Sequence, residues 1–157
     1  MKNRINIIVL LVVLLIIIAF FNSRESNIPV WEENALELSQ SLSKINRETT
    51  IDNLKDFTEF NWDTLYGFEP YLPEDNIYKV VGYKWTEISS TVSEGMNQVV
   101  FLDNGKVICY LYGYPEKYNV YFDLGTYKNG YCQLSSSEKL TFKMKLIDDI
   151  RYLKYLP

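Results

Sequence analysis

Residues 98–112 read QVVFLDNGKVICYLY, two apolar runs separated by Asp103-Asn104-Gly105. Asn-Gly favours a type I′ turn, whose two central residues both have positive φ, and the three-residue form of the loop tolerates a bulge. Such a turn between two apolar runs is the strongest hairpin signal in the chain. We therefore predict an antiparallel hairpin formed by Gln98–Leu102 and Lys106–Tyr112.

Two segments further along the chain alternate apolar and polar residues, as strands with one buried face do. These segments are 120–124 and 140–146. The last segment, Ile147–Leu156, fits either a continuing strand or a short terminal helix.

Helical patterns precede the hairpin. Residues 33–47 carry apolar side chains at steps of three and four, which form one stripe of a helix. Pro73, followed by two carboxylates, begins a second helix that ends at Val81, and Gly82 provides its C-cap.

The remaining segments before the hairpin resemble strands. Residues 49–71 are strand-like and aromatic, and 85–92 is a further predicted strand. Together the patterns predict an α+β fold: an N-terminal transmembrane helix, then one or two helices packed on a mostly antiparallel sheet of five or six strands.

The first residues carry a membrane signal. Lys2 and Arg4 precede an apolar stretch, 5–21, that is broken only by Asn6. Its length approaches the roughly 20 residues that a spanning helix needs. Because no A-x-A-like pattern of small residues follows it, we predict an uncleaved single-pass anchor in the cytoplasmic membrane rather than a cleaved signal peptide. The positive flank predicts that the N-terminus stays inside and that the remainder is exported to the periplasm or extracellular space.

This interpretation divides the chain into three parts. Residues 1–23 form the cytoplasmic tip and the anchor, 24–33 a tether, and 34–157 the exported α+β domain. Trp31, near the end of the tether, is expected at the membrane interface, where indole rings accumulate.

Composition excludes several kinds of chemistry. The chain of 157 residues has no histidine, which removes the commonest general acid–base group and the usual serine and cysteine triads. Two cysteines without histidine make a poor zinc site. The net charge of −4 disfavours nucleic acid, whose phosphates select basic surfaces. We therefore predict no catalytic residue, no metal site, no cofactor and no nucleic-acid partner.

Carboxylates are the remaining acid–base groups. Asp63, Glu69 and Asp123 lie among aromatic residues, and a glycosidase needs two carboxylates that flank a sugar. Since nothing in the spacing identifies a pair, a carboxylate-dependent cell-wall hydrolase is the third hypothesis for function.

The two cysteines, Cys109 and Cys132, both follow the anchor. In an oxidising compartment they are a candidate disulfide, which would stabilise the fold by about 3 kcal/mol in the chain-entropy model. The alternative is two free thiols, since cysteine also packs as a small apolar residue.

Charge is distributed unevenly outside the anchor. Residues 24–103 hold 15 acidic and six basic side chains, whereas residues 104–157 hold five acidic and eight basic ones. Either the two halves attract one another within the fold, or the acidic half offers a face to a basic partner.

Tyrosine is the other unusual feature, with 13 residues, most of them in the predicted β region. Tyrosine is enriched in protein interfaces, although it also fills half-buried strand positions. The candidate partner-binding residues are Trp62, Asp63, Tyr66, Tyr71, Tyr112, Tyr114 and Tyr118.

The residues Phe60, Trp62-Asp63, Tyr66, Phe68 and Pro70-Tyr71 form an F-x-W-D…Y-x-F-x-P-Y stretch. It resembles a stretch in small uncharacterised exported bacterial proteins, a group from which no catalytic motif transfers. The following helix and hairpin are also similar to outer-membrane assembly lipoproteins and β-lactamase-inhibitor-like modules, although this chain lacks a lipobox. These resemblances imply a binding domain rather than an enzyme.

The features together favour a membrane-anchored extracytoplasmic protein-binding module. Within that class we expect an immunity protein or inhibitor that protects the cell envelope from a toxin or hydrolase. The alternative is an envelope-biogenesis accessory factor in a membrane complex.

Overall fold

The computed structural model describes residues 28–157, which form two helices and eight strands. The helices are α1 (Val30–Ser43) and α2 (Glu74–Val81). The strands are β1 (Thr49–Ile51), β2 (Thr64–Phe68), β3 (Asn97–Asp103), β4 (Lys106–Gly113), β5 (Val120–Asp123), β6 (Tyr131–Ser135), β7 (Thr141–Ile147) and β8 (Ile150–Leu156).

The strands form two four-stranded sheets rather than one. Sheet 1 has the order β1-β7-β8-β5, in which β5 runs parallel to β8 and the other pairs are antiparallel. Sheet 2 has the order β4-β3-β2-β6 and is antiparallel throughout. The predicted α+β class is confirmed, with two helices packed on mostly antiparallel sheets.

The main core lies between the inner faces of the two sheets and one face of α1. Its largest fully buried rings are Phe101 of sheet 2 and Phe122 and Phe142 of sheet 1. The α1 stripe predicted from the sequence closes this core with Ala35, Leu38 and Leu42, each fully buried. Burying a leucine or phenylalanine side chain stabilises the fold by about 1.5–3 kcal/mol, so this layer is the main source of stability.

Sheet 2 is buried on its other face as well. Ile77 and Val81 of α2, with Ile88 from the segment that follows, cover Val100 and Leu102 of β3. Burial on both faces explains why six of the seven residues of β3 are buried and why its apolar residues, Val99–Leu102, form one run instead of alternating. The outer face of sheet 1 has no such cover within residues 28–157, and its side chains are half-buried or exposed.

The predicted hairpin is confirmed as β3–β4. Asn104 (φ 49°) and Gly105 (φ 73°) form a two-residue turn with the positive φ pair of type I′. A bulge lies not in the turn but at Ile108, where the register of the ladder shifts. The carbonyl of Ile108 accepts a hydrogen bond from Asn34 Nδ2 of α1 at 2.6 Å, so the helix protects this edge of sheet 2.

The C-terminal segment is a strand rather than a helix. Asp148 (φ 48°) and Asp149 (φ 64°) form a second two-residue turn, which joins β7 to β8. Just beyond it, the Arg151 side chain is 9% exposed and donates hydrogen bonds to the backbone carbonyls of Ser43, Ile45 and Asp149. The end of α1 is thereby tied to sheet 1.

The structure differs from two of the predictions: the strand at residues 85–92 and the end of the tether. Residues 85–92 do not form a strand; they run irregularly over sheet 2, and Trp85 and Ile88 supply its cover. The first described helix begins at Val30, inside the predicted tether, and ends at Ser43. Trp31 packs in T-shaped geometry against Trp85 and Tyr110, with centroids 5.5 and 6.1 Å away, and is therefore part of the domain.

The predicted anchor, 1–23, and the start of the tether lie outside the described residues. Among residues 28–157, no helix is both long enough and apolar enough to cross a membrane.

Candidate functional site

Three exposed side chains, two tyrosines and one valine, belong to or lie beside the irregular segment Ser89–Met96. Their exposed fractions are 56% for Tyr71, 74% for Val92 and 54% for Tyr114. We call these three side chains and the segment between them the 89–96 surface. Solvent-exposed tyrosine rings beside an exposed valine are the kind of side chain that protein interfaces use.

Hydrogen bonds from two strands of sheet 2, β3 and β4, hold the segment in place. Gln98 Nε2 donates to the Ser89 carbonyl at 2.9 Å, and the Tyr112 hydroxyl donates to the Ser90 carbonyl at 3.0 Å. These bonds fix the backbone that carries Val92.

Tyr71 and Tyr114 are attached to the same segment. The Tyr71 N–H donates to Thr91 Oγ1 at 3.1 Å, and Tyr71 itself has a positive φ of 65°. Tyr114 follows the end of β4 and precedes Pro115, and its ring lies beside Gly95, where an added Cβ would be 3.6 Å from it. Tyr71, through its backbone, and Tyr114, through its ring, therefore both contact this one segment.

Carboxylates accompany these rings. Exposed Glu69 and Glu116 each lie two residues from one of the rings in the sequence, and exposed Glu94 belongs to the segment itself. The pKa of the Tyr112 phenol is raised, mainly by burial and also by the Glu74 carboxylate. The hydroxyl therefore remains protonated and can donate its hydrogen bond. The surface thus combines apolar rings with negative charge.

Two predicted partner-binding residues are instead buried in the main core. Trp62 is 4% exposed, contacts the Phe101 ring edge-on with a centroid distance of 5.1 Å, and donates its indole N–H to Thr58 Oγ1. Tyr118 is also 4% exposed, and Lys117 Nζ lies 4.8 Å from its ring centroid. Neither ring can contact a partner in this fold, because both fill the space between α1 and the sheets.

Two other predicted partner-binding residues, Asp63 and Tyr66, have structural roles at the surface. Asp63 Oδ2 accepts the Asn104 N–H at 2.7 Å and so stabilises the β3–β4 turn. Tyr66 is half-buried on the outer face of sheet 2, where its ring stacks with Phe68 and meets the Tyr131 ring in T-shaped geometry. The seven candidates therefore separate, and only Tyr71, Tyr112 and Tyr114 are shown to contact the segment Ser89–Met96.

Val92 was not predicted as a binding residue, because 85–92 was interpreted as a strand. The signal that could have corrected this is the run Ser89-Ser90-Thr91 followed by Ser93-Glu94-Gly95. Residues of these types favour turns and loops over strands.

Both cysteine thiols are free. Cys109 lies on β4 and Cys132 on β6, the opposite edges of sheet 2, with two strands between them. Three strand spacings place their backbones about 14 Å apart, far beyond the reach of a disulfide. Of the two alternatives from the sequence, the structure has the free thiols.

The carboxylates predicted for a hydrolase are on different sheets. Asp63 holds the β3–β4 turn, whereas Asp123 accepts the Gly125 N–H at 3.1 Å and pairs with Lys154. Within the described part of the chain, no three acidic or cysteine side chains come together to form a metal site.

The two oppositely charged halves of the sequence are joined by one ion pair among residues 28–157, Lys139–Asp52 at 3.9 Å, and both partners are largely exposed. Such a pair contributes little to stability. The acidic half is thus left largely unneutralised by the basic one.

No protein-family model, curated protein or solved structure matches this chain.

Proposed function

We propose that this chain is a membrane-anchored extracytoplasmic module that binds a protein through the 89–96 surface. The observation that carries the proposal is that Tyr71, Val92 and Tyr114, each more than half exposed, belong to or contact a single anchored segment. Exposed apolar groups gathered on one part of a surface mark interaction sites, and tyrosine is enriched there.

The way the segment is held favours binding. Hydrogen bonds from Gln98, Tyr112 and the Tyr71 backbone fix it before a partner arrives. A pre-organised surface loses little conformational entropy on association, and tyrosine adds contact area with only two side-chain torsions to fix.

The charge of this region favours a basic partner. Glu94 belongs to the surface, and the acidic half of the sequence, residues 24–103, contributes most of the carboxylates of the chain. Complementary charge raises the rate of association and selects the partner more than it raises the affinity. We expect the rings to provide affinity and the carboxylates to provide steering.

Within this class we propose an immunity protein or inhibitor that protects the cell envelope from a toxin or hydrolase. We propose that the small domain lies outside the membrane, attached to it by the anchor. That position and a preformed acidic and aromatic surface suit the capture of a basic secreted enzyme. A stoichiometric inhibitor needs only such a surface and no catalytic groups.

The first test is affinity capture with the full chain in non-ionic detergent. We expect one enriched protein with the wild type and at least tenfold less of it with Tyr71→Ser/Tyr114→Ser, because the rings provide the central contacts. Tyr83→Ser is the matched control, since Tyr83 is 37% exposed but lies outside the surface. Equal enrichment with the double variant would show that the 89–96 surface is not the binding site.

The immunity hypothesis has its own test. A strain without this chain should be killed in co-culture by its parent strain, and the wild-type gene should restore survival while Tyr71→Ser/Tyr114→Ser should not. Survival of the deletion strain beside its parent would contradict an immunity role while leaving the binding surface to be judged by the capture experiment.

A further inference from the structure

The outer face of sheet 1 carries a second, chemically different surface. A groove of about 300 Å³ crosses it, lined by the side chains of β5, β7 and β8. Three lysines and two tyrosines line this groove, and Asp123 is its one acidic residue. The lysines are Lys143, Lys145 and Lys154, and the tyrosines are Tyr121 and Tyr152.

Strand register arranges these side chains in two rows. Across the first row, Lys143 lies opposite Lys154, and Lys154 lies beside Asp123. Across the second row, Lys145 lies opposite Tyr152, and Tyr152 lies beside Tyr121. The β7 side of the face is therefore cationic in both rows, whereas the β5 side carries Asp123 in one row and Tyr121 in the other.

The lysines are poorly neutralised. Asp123 pairs with Lys154 at 3.8 Å, an exposed contact that leaves two of the three charges without an ion pair among residues 28–157. Like charges directly opposite one another on a sheet are unfavourable, and Lys143 and Lys154 are such a pair. An anion bound between them would relieve this repulsion.

The tyrosines provide a platform beside that charge. The rings of Tyr121 and Tyr152 lie 5.6 Å apart at an interplanar angle of 39°, and both are half-buried. Rings held side by side in this way present a broad apolar surface edged by hydroxyl groups, which fits the C–H face and the hydroxyl groups of a sugar ring.

Two further depressions extend the groove towards sheet 2. Lys154 lines both the first groove and the next depression, which also contains Thr126 and Cys132. Those last two residues also line a third depression, as does Lys128. Three neighbouring depressions that share lining residues and hold four lysines suit an extended polymer better than a small enclosed molecule.

We propose that the basic–aromatic face of sheet 1 binds an anionic polysaccharide, a chain of sugar rings that carries carboxylates or phosphates. The lysines contact its charged groups, and the Tyr121–Tyr152 pair contacts a sugar ring. A peptide adding itself as a strand needs a sheet edge, whereas this face offers side chains only. A nucleic acid is disfavoured because the chain as a whole is acidic.

The position of the face suits a polymer that lies beyond the membrane surface. The described chain begins beside Val30 and Trp31, which packs on the outer side of sheet 2. Helix α1 then rises about 20 Å to reach Arg151 of sheet 1. The first described residues and the basic face are thus at opposite sides of the two-sheet stack.

The test measures binding of the full chain, in non-ionic detergent at low salt, to defined polymers. Polygalacturonate supplies carboxylates and a phosphomannan supplies phosphodiesters, while neutral dextran, polyglutamate and oligo-dT are the comparison ligands. We expect binding to at least one of the two anionic glycans, at least tenfold tighter than to each comparison ligand, and weakening with added salt.

Variants locate the site. Lys143→Gln/Lys145→Gln/Lys154→Gln should weaken glycan binding by about tenfold, since each exposed charge contact contributes modestly. The matched control, Lys44→Gln/Lys55→Gln/Lys79→Gln, removes the same charge from exposed positions elsewhere and should change binding less than twofold. Asp123→Asn should strengthen it, because the only acidic side chain lining the groove is neutralised.

Several results would overturn the proposal. Equal losses for the two triple variants would show that net charge, and not this face, determines binding. Equal or tighter binding of polyglutamate or oligo-dT would reject a glycan as the ligand, as would the absence of binding to both anionic glycans. Because Tyr71 and Tyr114 are left intact here, these outcomes are independent of the 89–96 surface.

Discussion

Replacing Arg151 by methionine should lower the free energy of unfolding by about 3 kcal/mol. The guanidinium donates at 2.6 Å to the Asp149 carbonyl and at 3.0 Å to the Ser43 carbonyl, and two contacts of 3.3 Å reach Ile45. A hydrogen bond from a charged donor contributes about 1.5 kcal/mol or more, and the two short bonds set the estimate. Methionine preserves much of the apolar stem but leaves these carbonyls without their donor.

Urea unfolding of the full chain, followed by tryptophan fluorescence, measures this loss. Arg151→Lys should cost about half as much, because an ammonium keeps the charge but cannot reach three carbonyls in one plane. Arg47→Met is the matched control: Arg47 is exposed near the same end of α1, and its replacement should change stability by less than about 0.5 kcal/mol. If Arg151→Met cost no more than Arg47→Met, the attachment of α1 to sheet 1 would not depend on this side chain.

Three further predictions concern stability. The Asn97 side chain bonds both the N–H and the carbonyl of Phe122, at 2.9 and 3.1 Å, so Asn97→Asp should cost about 2 kcal/mol in urea unfolding, by losing the donor and placing a carboxylate against that carbonyl. Asp149→Gly should raise stability by about 1 kcal/mol, seen as a higher melting temperature, because Asp149 has a φ of 64°. Burial raises the pKa of the Cys109 thiol and of the Tyr110 phenol above their ordinary values of 9.0 and 10.0, so the folded state keeps protons that the unfolded chain releases. The contribution of these two groups to stability should therefore be constant below about pH 8. It should fall from about pH 9 for Cys109 and from about pH 10 for Tyr110, by up to about 1.4 kcal/mol per pH unit for each group, and Tyr110→Phe should reduce the slope above pH 10.

The sequence predicted those elements whose signals are local. Asn104-Gly105 specifies a type I′ turn by its backbone preference, and Gly82 ends α2 in the left-handed conformation with a φ of 95°. Alternation predicted β5 and β7 because each has one face in the core. Such signals need no knowledge of what the segment packs against.

The elements that were missed depend on distant partners. The division into two sheets follows from pairings between strands far apart in sequence, such as β5 with β8 and β1 with β7. Residues 85–92 have strand-like composition, but Trp85 and Ile88 are buried against a sheet face rather than paired at an edge. The turn at Asp148 and Asp149 was missed because aspartate populates positive φ less often than Asn-Gly does.

Of the predicted candidate residues, the sequence placed some on the surface. Tyr114, in the loop after β4, and Tyr71, at the end of the aromatic stretch, are both exposed, and their role in binding stays a prediction. Trp62 and Tyr118 are also aromatic residues outside the strands but are buried in the core, since the burial of such a ring depends on the elements that pack over it.

Site-specific photo-crosslinking at Val92 tests the central claim most directly. A photoreactive phenylalanine analogue replaces Val92 in the full chain, and illumination of intact cells traps whatever touches the 89–96 surface. Because Val92 is 74% exposed, the substitution leaves the core intact, and exposed Glu59 provides the control position. We predict one discrete protein adduct from position 92, absent from position 59 and lost when Tyr71 and Tyr114 are also replaced by serine. No adduct at position 92, or the same adducts at both positions, would contradict the proposal that this surface binds a specific protein.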